Sequence, residues 1–214
     1  MAELALRHSA RPTVVACLDV AERVILMVLF ARMAIINYVP ITHDGQWFNA
    51  LVVFSEGLCA MLVMIRRKSD SVSVIPLDWL LAFCATAGPL LVQPGGGAPL
   101  VPPLVGIVLL FGGTGTQLAA KLILRRSFGL VPANRGVKIE GPYRLVRHPM
   151  YLGYVMVHIG FLLMAPNLLN LGIYLASFTV QIFRLLAEER LLMQDPAYVA
   201  FAQRVRYRLL PGVF

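Results

Sequence analysis

Charge is scarce in this sequence. Only 14% of its 214 residues are Asp, Glu, Lys or Arg, against 58% hydrophobic residues and a mean hydropathy of +0.74. Soluble domains carry about 25% charged and about 45–50% apolar residues, so a water-soluble globule is excluded and a polytopic membrane protein is expected. Acid is scarcer than base, 11 Asp and Glu against 19 Lys and Arg, for a net charge of +8. The basic residues lie between and beside apolar runs, so loop bias and anionic headgroups account for them and nucleic acid is not an expected partner. Cysteine is rare too. Cys17, Cys59 and Cys84 fall in or near apolar stretches with no CxxC or other ligand spacing, which predicts no metal site and small buried side chains. Residues 1–13 mix Glu3, Arg7, His8 and Arg11 with few apolar residues, and no cleavage-site pattern follows a short hydrophobic core, so no removable signal peptide is expected. Without repeats or low-complexity segments, 1–214 reads as one all-α domain.

What the chain does have is apolar runs of helical length. Crossing the hydrocarbon core takes about 20 apolar residues. Six stretches qualify, near 20–39, 47–65, 77–92, 100–124, 149–164 and 168–186. Arg23 and Arg32 interrupt the first: Arg23 is expected to snorkel to an interface, and Arg32 to need a partner or a water-lined cavity. Trp47 opens the second as an interfacial anchor, and Arg66-Arg67-Lys68 closes it as a cytoplasmic stop marker. Asp78 and Trp79 open the third, and the Gly- and Pro-rich linker 93–99 separates it from the fourth. A polar, basic loop of about 20 residues then leads to the fifth, and a loop that long is usually functional. Ala165-Pro166-Asn167 is too short for anything but an antiparallel helical hairpin. With six crossings the basic clusters share one side, and both termini are expected to be cytoplasmic. The tail, 191–214, reads as an amphipathic surface helix able to roof a site.

Three polar groups stand out against this background. In Arg147-His148-Pro149-Met150-Tyr151-Leu152-Gly153, Pro149 marks a helix start, whose free N–H groups suit an anion, and Arg147 adds a bidentate guanidinium. Interfacial anchoring is the plainer reading of the same residues. In Arg184-Leu185-Leu186-Ala187-Glu188-Glu189, the i,i+4 pair Arg184 and Glu188 is open to the reading of an intrahelical ion pair. Adjacent carboxylates diverge by about 100° round a helix, so one can face the loop cluster across the hairpin. Such carboxylates suit an amine, ribose hydroxyls or a cation. Gly113-Thr114-Gly115 is a weak motif, and close helix packing is its ordinary meaning.

Taken together, the run Gly141-Pro142-Tyr143-Arg144-Leu145-Val146-Arg147-His148-Pro149-Met150-Tyr151-Leu152-Gly153, the hairpin, Arg184, Glu188-Glu189, and a tail with Tyr198, Phe201, Arg204-Val205 and Leu209-Leu210-Pro211 closely resemble the isoprenylcysteine carboxyl methyltransferase family. The likeness covers about the last 90 residues, and the first 100 match only in being hydrophobic. It implies an integral-membrane enzyme that uses S-adenosylmethionine without a Rossmann domain. Residues 1–126 would supply N-terminal transmembrane segments, and 127–214 the cofactor loop, hairpin and tail. His148, Pro149, Tyr151, Gly153, Glu188 and Glu189 would line a cytosolic cofactor pocket. Gly113 and Gly115 would join it if the chain follows the related phosphatidylethanolamine methyltransferases, which pair a GxG with a Glu-Glu motif. Arg184, or Arg147, would hold the acceptor carboxylate.

The expected reaction is methyl transfer to a lipidic or prenylated acceptor, with membrane lipids as surroundings and a carboxylate as the favoured group. A phospholipid amine is the alternative, and it would require a base, with Glu188, Glu189 or His148 as candidates. Membrane sterol reductases share an Arg-His-Pro-x-Tyr-like tail but use NADPH, and the Glu-Glu pair argues against them. A non-catalytic membrane scaffold is the remaining reading.

Overall fold

The computed structural model describes residues 12–43, 49–67, 72–93 and 96–214. Among them the architecture is all-helical, with an isolated bridge between Val72 and Ala133 in place of any strand. The chain divides into two compact units: residues 1–74 with 125–135, and residues 75–124 with 136–214.

In the first unit, α1 (Pro12–His43) packs against α2 (Asn49–Ile65). Charge holds this unit together in a way the hydropathy pattern hides. Arg66 is 3% exposed and pairs with Asp19 at 2.7 Å and Glu22 at 2.8 Å. Glu22, fully buried, also accepts backbone N–H bonds from Leu130 at 2.7 Å and Val131 at 3.0 Å, which pins the start of the long loop. Arg66 is therefore a buried ion-pair partner where a surface stop marker was expected, because two carboxylates one turn apart on α1 offset its desolvation. Arg23 does not snorkel either. It pairs with Asp19 at 2.8 Å and donates to the carbonyls of Val63, Met64 and Arg66 at 3.1, 2.8 and 3.3 Å, capping the end of α2. Arg32 lies on an exposed face of α1, while Trp47 and Lys68 lie outside the described residues. Of the cysteines only Cys59 is buried; Cys17 and Cys84 are exposed.

The second unit contains α3 (Pro76–Ala87), α4 (Pro103–Leu124), α5 (Pro149–Met164), α6 (Leu168–Leu192) and α7 (Pro196–Arg204). Gly88-Pro89 turns the end of α3 into a 3-10 segment over Gly88–Leu91, and Pro103 fixes the start of α4. α5 matches the sequence reading at both ends. Asn167 caps α6 by accepting from the N–H groups of Leu169 and Asn170 at 2.9 and 3.3 Å. α6 runs past 186 and carries Glu188 and Glu189 within its last turn and a half.

Six crossings are not what the helices support. Among the described residues two are long and apolar enough to cross a membrane, Pro103–Ser127 and Leu168–Leu192, while the apolar α3 and α5 have lengths of 12 and 16 residues. Without the sixfold count, the parity argument for orientation lapses. The two long helices nevertheless present large apolar side chains outward, such as Leu104, Val108, Leu168 and Leu175, the surface a lipid-facing helix needs.

Within the unit, α5 lies chiefly on α4 and α6 chiefly on α3. The α4/α5 contact is made by glycines: a Cβ on Gly153 would stand 2.6 Å from the Gly113 carbonyl oxygen, and one on Gly113 2.7 Å from that of Gly153. α6 meets α3 through a bidentate pair, Arg190 Nη2 donating to Asp78 Oδ1 and Oδ2 at 2.8 and 2.7 Å. Asn170, fully buried, exchanges hydrogen bonds with the Gln93 backbone at 3.0 and 2.9 Å. Between the two arms of the hairpin, aromatic rings make the contact, with His158 stacked on Tyr174 at 4.4 Å.

The tail departs from the expected surface helix. Asp195 caps α7 by accepting from Ala197 N–H at 2.8 Å, and the helix stops at Arg204. The next residues form a strap: the Tyr207 and Arg208 carbonyls accept from the backbone N–H groups of Arg147 and His148, each at 2.9 Å. The Phe214 carbonyl then accepts from Leu209 and Leu210 at 2.8 and 3.0 Å, which folds the chain end back.

Candidate functional site

Pro149 starts α5 at the open end of the hairpin, so His148 stands at its N-cap. The His148 side chain makes no capping bond and is free to reach across to α6. There, its Nε2 meets Glu189 Oε1 at 2.9 Å. Tyr198 of α7 donates its hydroxyl to the same oxygen at 2.8 Å. The other carboxylate oxygen, Oε2, pairs with Arg147 Nη1 at 2.9 Å and with Arg208 Nε at 3.1 Å. Both oxygens of a carboxylate only 4% exposed are thus engaged twice, by donors from the loop, α7 and the strap. Glu189 ties these segments to the end of α6.

Its neighbour points elsewhere. Tyr151, one turn into α5, donates its hydroxyl to Glu188 Oε2 at 2.8 Å. The Tyr151 ring stacks on His148 at 5.5 Å with 13° between planes, and the Arg184 guanidinium stands over it at 5.3 Å. Glu188 is half-buried, and its Oε1 has no partner among the described residues. Tyr143, in the 3-10 turn Gly141–Arg144, is close enough to feel it: burial first, then the Glu188 charge, push the Tyr143 phenol well above its ordinary range. Burial, followed by the Glu189 charge and hydrogen bond, does the same to Tyr198. Both phenols stay neutral at any physiological pH.

The residues singled out from the sequence therefore separate into groups. His148, Tyr151, Arg184, Glu188, Glu189 and Arg147 come together, and Pro149 sets the helix start that aims His148. Arg147 does so as a partner of Glu189. Gly113 and Gly153 meet each other in the α4/α5 contact, and a Cβ on Gly115 would meet nothing within 4 Å. Tyr198, named above only within the tail that carries the resemblance, and Arg208, given no role there, complete the Glu189 set. A buried carboxylate needs more donors than His148 and Arg147 supply, yet nothing local distinguishes Arg208 from Arg204 or Arg206. That choice belongs to the strap.

S-Adenosylmethionine presents an ammonium, a carboxylate and ribose hydroxyls. The donor and acceptor set here fits such a group: the open Glu188 oxygen matches an ammonium or ribose hydroxyl, and Arg184 matches an anion.

Residues 104–196 match the phospholipid methyltransferase family model, a stretch that runs from the first turn of α4 to the first residue of α7. It includes the GxG, the His148 loop and the Glu-Glu pair. No curated protein gives a significant match to the chain. The family match supports a membrane methyltransferase.

Proposed function

We propose that this chain is an integral-membrane, S-adenosylmethionine-dependent methyltransferase, and that it esterifies the carboxylate of an isoprenylcysteine-like lipidic acceptor. The observation that carries the reading is the pairing of an open carboxylate with a cation: Glu188, held through one oxygen by Tyr151, beside Arg184 over the same ring. Held through the open oxygen of Glu188, the cofactor would supply an electrophilic methyl group to the acceptor oxygen and leave as a neutral thioether. Such a displacement needs alignment and exclusion of water more than it needs a protein nucleophile.

The chain's own residues divide that work. Glu188 holds the cofactor end through its open oxygen, Tyr151 fixes the rotamer of Glu188, and Arg184 orients the acceptor carboxylate. An acceptor carboxylate is already ionised at neutral pH, so no base is required. Glu189 touches neither reactant and positions His148 and the strap. Methylation of a phospholipid amine is the second reading, favoured by the family model that matches residues 104–196. An ammonium acceptor would have to lose a proton, and Glu188 is the carboxylate available to receive it.

Titration calorimetry of S-adenosylhomocysteine into the detergent-purified protein tests the cofactor. Binding by the unmutated protein and its loss in Glu188→Ala are expected. No binding by the unmutated protein sinks the methyltransferase reading, and NADPH binding in its place promotes a reductase. Labelled cofactor fed to membranes then decides the acceptor: base-labile methyl esters for a carboxylate, stable N-methyl lipids for an amine.

A further inference from the structure

A pocket of about 380 Å³ opens beside the strap and takes no part in the chemistry above. Arg144, from the 3-10 turn before the His148 loop, lines it together with Arg204 from the end of α7 and Arg206 from the strap. All three are exposed, and none has an ion-pair partner among the described residues. The lining includes no carboxylate; the nearest in sequence, Glu140, is exposed at the head of the Arg144 turn. This contrasts with Arg147 and Arg208 next to them, both committed to Glu189. Three arginines lining one opening, with no carboxylate among the lining residues, leave a positive field that an anion from outside would neutralise.

The rest of the lining is Leu145, Val205, Pro211 and Tyr207. Leu145 is 69% exposed, and the folded-back chain end adds exposed Leu210 and Val213. A free phosphate has no use for such a surface, whereas a phosphate bearing a glycerol and acyl chains does. Arginines interleaved with outward-facing apolar side chains on a short terminal segment form the surface of an element lying in the headgroup layer. We propose that this pocket binds the phosphate of an anionic membrane lipid, and so anchors the C-terminal strap to the bilayer surface. The site is distinct from the Glu188 and Glu189 cluster and does not depend on methyl transfer.

Near an anionic surface each arginine contributes about 1 kcal/mol, roughly a fivefold factor, so three together account for about a 100-fold preference. Native mass spectrometry of the full chain, released from detergent with equimolar phosphatidylglycerol and phosphatidylcholine, reads this directly. Selective retention of phosphatidylglycerol is expected, and its reduction to the phosphatidylcholine level in R144A/R204A/R206A. The lysine triple variant, which keeps the charge, should retain most of the preference. Thermal unfolding of each variant checks that the fold survives, and Arg144→Glu alone, a single exposed change, should cut the preference if the triple variant does not fold. Equal retention of the two lipids by the unmutated protein, or undiminished preference in both the triple variant and Arg144→Glu, overturns the proposal. So does displacement of phosphatidylglycerol by millimolar inorganic phosphate, which would make the pocket a soluble-anion site.

Discussion

Two adjacent glutamates do different jobs here. Glu189 is a buried carboxylate with four donors, and removing one member of such a set leaves the others desolvated and unmatched, at a cost of about 3–5 kcal/mol. Glu188 is half-buried and has one partner, so its loss costs the fold little and the ligand much. Glu189→Gln should therefore lower the thermal unfolding midpoint markedly. Glu188→Gln should leave it nearly unchanged while weakening S-adenosylhomocysteine binding by about 10–100-fold, the worth of one charged hydrogen bond. Unfolding curves and calorimetry on both variants check this, and equal behaviour of the two would remove the division of labour. The presence of a carboxylate pair at the end of an apolar run was legible in the sequence. Which member faces outward was not, because that depends on how α6 is rotated against α5 and α7.

At the scale of elements, the glycines make the point most clearly. The resemblance put Gly153 in the cofactor pocket, and Gly113 and Gly115 there only by likeness to the phosphatidylethanolamine methyltransferases. The crossing of α4 and α5 separates them: Gly113 and Gly153 bring two backbones together, and Gly115 faces open space. Gly153→Ala should destabilise the protein by about 1–3 kcal/mol, the usual cost of forcing atoms into a filled contact. Gly115→Ala should be neutral or slightly stabilising, since alanine favours a helix by up to about 1 kcal/mol. Thermal unfolding in detergent measures both, and a destabilised Gly115→Ala would contradict the assignment. Helix ends, by contrast, were read well where local chemistry sets them. Pro149 and the Ala165-Pro166-Asn167 turn bound α5 in sequence and structure alike, whereas α1 runs well beyond its apolar stretch because its polar residues have distant partners.

For the molecule as a whole, a hairpin that spans the membrane would fix which points share a side. Cysteines introduced at Lys138 and Arg204, in a variant with Cys17, Cys59 and Cys84 replaced, should react with a membrane-impermeant thiol reagent from one side only. A cysteine at Asn167 should react from the other. Labelling of all three from one side would rule out a spanning hairpin. The sequence by itself determined the all-helical class, the apolar character of the long helices, the hairpin turn and the residue types gathered at its open end. These follow from composition, from proline and asparagine chemistry and from period, all of which act over a few residues. Tertiary structure alone decided that Glu22 holds the backbone of Leu130 and Val131, 108 and 109 residues away, and that Tyr198 and Arg208 complete the shell of Glu189. It also decided that Arg144, Arg204 and Arg206 line one opening. A buried charge needs a counter-charge but does not specify where along the chain that partner lies, and only the packing of the helices supplies the address.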